Sequence, residues 1–132
     1  MLASNLLRVS VIMILVGLGL GIGMGITQDF RLMPAHAHLN LLGFVALFLA
    51  GLYYNAVPEA AATRLATIQA WVAVIGAVLF PVGVALVLLV GPQFEPIAII
   101  GSLIVLVGMI LFAWVVFRHG FGGSARRTAD VR

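Results

Sequence analysis

The chain has 132 residues, of which 64% are hydrophobic and only 8% charged, with a formal net charge of +3. About a quarter of the residues in a soluble globular domain are charged, so that class is excluded. The absence of cysteine removes disulfides, iron–sulfur clusters, thiolate metal sites and c-type haem attachment. Every basic residue is an arginine, and in so apolar a chain the positive balance reads as membrane orientation, not nucleic-acid binding.

An apolar bilayer core roughly 30 Å thick needs about 20 helical residues to cross it. Four runs meet that length, at residues 6–26, 35–56, 65–90 and 96–117. The expectation is an all-α, four-transmembrane-helix bundle over residues 1–119, followed by a flexible, glycine-rich cytoplasmic tail at 120–132. The first run is too long for a secretory leader and lacks a small-x-small cleavage site, so it reads as an uncleaved anchor. It carries Gly17, Gly21 and Gly25, with Gly19 and Gly23 between them. Such small-xxx-small ladders let helix backbones approach closely in lipid. No strand precedes them, which argues against a phosphate-binding loop.

Thr27-Gln28-Asp29 closes the first run, and Pro34 opens the second at a position where a missing backbone donor does little harm. Val57-Pro58-Glu59 and Gly91-Pro92-Gln93-Phe94-Glu95 separate the remaining runs, and Pro81 predicts a kink inside the third. Arg8, Arg64, Arg118, Arg126, Arg127 and Arg132 fall on one side of this arrangement and Arg31 on the other. Positive residues stay cytoplasmic, so both termini are expected inside a bacterial cytoplasmic membrane, with the start of the second run at the outer face. Tyr53, Tyr54 and Trp114 lie near the inner span ends, where aromatic belts occur. His119, between Arg118 and Gly120, reads as a solvated residue of the tail.

Ala35-His36-Ala37-His38-Leu39-Asn40 is the stretch that carries chemistry. Polar groups at the mouth of an apolar span are costly and usually have a ligand or partner. Successive helical residues advance about 100°, so His36 and His38 point about 200° apart and serve two different flanks. Below His36 come Asn40, Gly43, Leu47 and Gly51, a flank stripped of bulk that leaves room for a flat ring or another helix. Below His38 come Leu42, Val45, Leu49 and Leu52, an aliphatic wall suited to a porphyrin face or to plain packing. Neutral imidazole is a common axial ligand of haem iron, and two opposed imidazoles make a low-spin electron carrier. Arg31 lies close enough to pair with a haem propionate or with Asp29.

His36-x-x-x-Asn40 at the outer start of a second span resembles the low-spin haem ligand helix of haem–copper oxygen and nitric oxide reductases. Ala35-His36-Ala37-His38 is also similar to the His-x-His of that family's tenth helix, where alternating histidines serve two haems. The family's catalytic subunit has twelve helices in three arcs of four, so the resemblance implies one arc here. It further implies iron in haem b, with His36 and His38 as ligands and Asn40, Gly43 and Arg31 around it. A homotrimer would rebuild the ring, each haem clamped by His36 of one protomer and His38 of its neighbour.

The family's copper needs three more histidines, and only His119 remains, on the wrong side; no intramembrane acid or lysine near the pair offers a proton path. Oxygen reduction is therefore not expected. The function implied is electron transfer, between quinol and an outer-face partner. A haem-based gas or redox sensor and a copper-handling assembly factor stand as alternatives.

Overall fold

A computed structural model describes residues 1–120. The described residues are all-α. Helix α1 (Leu2–Thr27) is followed by a second span, Met33–Ala56, that changes pitch along its length. It begins as α2 (Met33–His38), widens to a π-helical segment over Leu39–Ala46, and tightens again as α3 (Leu47–Ala56). The short α4 (Pro58–Ala61) turns the chain into α5 (Arg64–Leu89), and a 3-10 turn at Pro92–Phe94 leads into α6 (Glu95–His119).

Among the described residues, four helices are long and apolar enough to cross a membrane, which points to a multi-pass membrane protein and is consistent with a four-helix transmembrane bundle. The 26 residues of α1 or α5 rise roughly 39 Å, more than the bilayer core requires. Between 17% and 28% of the most apolar 18-residue stretch of each span is buried inside the chain. The remaining apolar surface therefore has to meet lipid or other copies. The tail assigned to residues 120–132 lies outside the described residues, apart from Gly120.

Local signals explain where the helices begin and end. Thr63 caps α5, its Oγ1 accepting from the Ala66 amide at 3.1 Å. Pro34, Pro58 and Pro96 sit in first turns, where no intrahelical donor is lost. Gly91, with φ of 142°, supplies a backbone conformation closed to other residues between α5 and α6. Helix α5 runs on through Pro81 without a break.

Two close seams build the bundle. Along the first, a Cβ added at Gly83 would lie 2.6 Å from the Ala98 amide nitrogen, and one at Gly101 would lie 2.7 Å from Phe80 Cα. Gly76 and Gly108 continue this α5–α6 contact, so glycines spaced by seven on both helices bring the backbones together. The second seam joins α1 to the second span. There Gly43 meets Met13 and Gly51 meets Leu7, each with a side-chain atom 3.0 Å from where a Cβ would stand. The flank below His36 is thus filled by a helix of the same chain.

The buried core concentrates at the end opposite the histidines. Tyr53, Tyr54, Leu47, Ala66 and Val115 pack there, and both tyrosines meet Phe112 edge-on. The belt expected from Tyr53 and Tyr54 is corrected by their exposure of only 4% and 1%. Their rings are needed where α3 meets α5 and α6, so they face inward, whereas Trp114 remains exposed.

Candidate functional site

Both histidines fall in the last turn of α2, immediately before the backbone widens. His36 faces α1 and His38 faces α5, as their angular separation requires. The His36 Nδ1 lies 3.0 Å from the Gly17 carbonyl oxygen. A carbonyl only accepts, so Nδ1 carries the proton and Nε2 keeps its lone pair. Asn40, one turn further on, donates its Nδ2–H to that Nε2 at 3.1 Å.

The glycine ladder of α1 is the seat of this pair. A Cβ at Gly21 would approach His36 Cε1 to 2.9 Å, and one at Gly17 would collide with Asn40 Oδ1. That oxygen is buried and has no conventional hydrogen-bond partner among the described residues. The bare Gly17 Cα hydrogen points at it, a weak C–H···O contact that any larger residue would replace with a clash. Gly17, Gly21, His36 and Asn40 therefore form one interhelical clasp, of which the ladder motif alone indicated only close packing.

His38 stands differently. Its Nδ1–H donates to the Pro34 carbonyl at 2.7 Å, and its ring meets Phe80 edge-on, with centroids 4.6 Å apart. Its Nε2 has no protein partner among the described residues. From one turn further along, Leu42, Val45 and Leu49 face Ala73, Val105 and Met109 across an apolar cavity of about 350 Å³. Three of the four residues in the predicted aliphatic wall thus line a cleft that stays open on one side, where Leu49 is 57% exposed. Leu52 is 45% exposed on the outside.

Arg31 pairs with Asp29 in the turn between α1 and α2, its guanidinium reaching both carboxylate oxygens at 2.6–3.0 Å. Of the two partners foreseen, the structure places Asp29 against it. The hydrogen bond from Arg31 pulls the Asp29 carboxyl down to about 2. His119 ends α6 at the far end of the bundle, away from the other histidines. No group of three or more His, Cys, Asp or Glu side chains is placed to hold a metal ion among the described residues.

A second polar cluster went unnoticed in the sequence. Tyr54 Oη donates to Gln69 Oε1 at 2.9 Å, and Gln69 Nε2 reaches the Gly108 carbonyl at 3.5 Å. Gln69 is 2% exposed and forms one end of the apolar cavity. The available signal was a lone carboxamide in an apolar span.

The fold and the clasp define a class: a small all-α, four-pass membrane protein with two imidazoles directed to opposite flanks of one helix. Comparison with models of known families, with curated proteins and with solved structures gives no match in any of the three.

Proposed function

We propose that this chain binds haem b at the histidine end of its second span and transfers electrons. One observation carries the reading. Each imidazole donates its Nδ1–H to a backbone carbonyl, Gly17 for His36 and Pro34 for His38, so Nε2 is the lone-pair nitrogen of both. Anchoring the far nitrogen in this way is what metal-ligating histidines use to fix tautomer and ring orientation. A porphyrin also supplies four of iron's ligands and asks the protein for one or two. That suits a chain whose described residues gather no larger set of ligating side chains.

The residues present fit the group. His38 offers an Nε2 without a protein partner among the described residues, on a ring that packs edge-on against Phe80. His36 can ligate once the Asn40 carboxamide turns from its Nε2, leaving Gly17 to hold the ring. When bound, haem supplies a one-electron ferric–ferrous couple; the chain supplies ligation, burial and a low dielectric. The proposal includes the resemblance to one arc of the haem–copper family and a homotrimer in which neighbouring protomers contribute His36 and His38 to one haem. The large apolar exterior of the spans is compatible with such neighbours. Arginine placement supports cytoplasmic termini; a bacterial inner membrane, and quinol and an outer-face partner as the redox pair, belong to the same proposal.

The Asn40 bond to His36 favours a second reading. If Asn40 stays in place, His38 is the sole ligand and the sixth iron position is open, as in a gas or redox sensor. Carbon monoxide binding to the reduced protein separates the two, since bis-histidine ligation resists it. The primary test is the absorption spectrum of the detergent-purified chain, oxidised and dithionite-reduced, with pigment extraction. A b-type Soret and α-band pair is expected, lost in His38→Ala and changed to a five-coordinate form in His36→Ala. A preparation with no Soret band that also fails to take up added haem saturably ends the proposal.

A further inference from the structure

We propose that the cavity between the second span, α5 and α6 binds an isoprenoid quinone headgroup, with the Gln69 carboxamide as its hydrogen-bond donor. This deepens the electron-transfer reading by siting its lipid-soluble partner; it rests on that reading for its purpose, whereas binding itself does not require haem.

The cavity follows from how the helices part. The second span touches α5 at one end through His38 and Phe80, and at the other through Tyr54 and Gln69. Between these points it leans on α1 through Gly43 and Gly51, while the glycine seam keeps α5 and α6 together. A wedge of about 350 Å³ remains. That volume is of small-molecule size and cannot admit a transmembrane helix some 10 Å across. Leu41 and Leu49 on its rim are 58% and 57% exposed, so the way in is from the membrane interior.

Its chemistry is polar at one place only. Gln69 Oε1 is occupied by Tyr54, but Nε2 carries two hydrogens and has one long bond, 3.5 Å to Gly108. A buried amide with a surplus donor selects a ligand that brings an acceptor. The occupant is therefore a membrane-soluble molecule with a carbonyl at its deep end and an apolar body that leaves toward lipid. A phospholipid ester also has a carbonyl, but its charged headgroup would find no charged residue among those lining the cavity. A quinone ring brings the carbonyl without the charge. From Phe80 to Gln69 is eleven residues along α5, about 16 Å at 1.5 Å per residue. The quinone end is thus well clear of the imidazoles.

The test is saturable quenching of tryptophan fluorescence by decylubiquinone in the detergent-solubilised full chain, which has Trp71 two residues from Gln69. Gln69→Leu should weaken binding about five- to ten-fold, the scale of one lost hydrogen bond. Ala46→Phe, which fills the cavity and leaves Gln69 intact, should weaken it at least as much with unchanged helicity. Non-saturable quenching, or unchanged affinity in both variants, overturns the proposal. Displacement by methyl decanoate assigns the site to a lipid ester and overturns it too. Haem content and uptake, measured on the same samples, report separately: quinone binding by a chain that neither carries nor takes up haem sinks the haem reading alone, and haem without quinone binding sinks only this one.

Discussion

At Gly17 the space a methyl group would need is already taken by Asn40 Oδ1, and at Gly21 the neighbour is the His36 ring. Gly19 and Gly23, on the other face of the same helix, have nothing within 4 Å of an added Cβ. Identical residues two positions apart should therefore respond in opposite ways. Gly17→Ala should displace Asn40, break its bond to His36 and destabilise the protein by about 1–3 kcal/mol. Gly19→Ala should be neutral or stabilising by up to about 1 kcal/mol, the helix-propensity difference. Unfolding titrations in mixed micelles check the pair, and equal losses in both variants would remove the clasp. Asp29 allows a pH prediction. Its carboxyl is held at about 2 in place of 3.8 by the hydrogen bond from Arg31. A depressed carboxylate contributes order above its ordinary value and loses it as pH falls through the folded one. The Arg31 amide, which donates to Asp29 Oδ1 at 3.1 Å, should stay protected above about pH 4 and lose protection as pH drops toward 2. Amide exchange read by NMR follows this directly. Both groups are exposed, so the effect is confined to the turn.

Among the elements, α5 and α6 form the tightest pair, because Gly83 and Gly101 bring backbone against backbone, with no flexible side chain between. Gly101→Leu should push α6 off Phe80 and lower the unfolding midpoint by several degrees, together with lost helicity; an unchanged midpoint would mean that the seam tolerates bulk. The spans themselves were legible, since twenty apolar residues in a row have few other stable forms. The helices start earlier than the apolar runs: α1 begins at Leu2 where the run suggests residue 6, because helical hydrogen bonding already includes Ser4 and Asn5, which are polar. Hydrophobicity carries no phase information in a span apolar all round. For that reason the π-helical segment and the α5–α6 seam stayed hidden, as did the inward turn of Tyr53 and Tyr54. The candidate site was partly legible. Alternating His36 and His38 fixed opposite flanks from helix geometry alone, but the identity of the neighbours, α1 and α5, depends on tertiary packing.

On the scale of the whole molecule, most of the exterior is apolar. Leu15, Ile22 and Ile26 are more than 60% exposed on α1, and comparable side chains line α5 and α6. The absence of cysteine makes orientation directly measurable. Under the proposed topology, Phe30→Cys in the turn after α1 should react with a membrane-impermeant maleimide on intact cells. Ser4→Cys should react only after lysis. The reverse pattern would invert the arginine-based assignment and put both imidazoles at the cytoplasmic face.

The wide-pitched stretch Leu39–Ala46 sits between the half of the span that holds His36 and His38 and the half that holds Gly51 and Tyr54. Such a stretch accommodates a surplus residue, in effect an insertion absorbed as geometry. It works as a phase adjuster, letting one rod address different neighbours above and below. Excising a single residue there should restore ordinary pitch and leave the two halves near their present phase, because the surplus residue is already absorbed. Such a shortened chain should keep both the Gly17 clasp and the Tyr54–Gln69 bond, whereas excision from an ordinary α-helical turn between them would rotate one half by about 100° and lose one of the two.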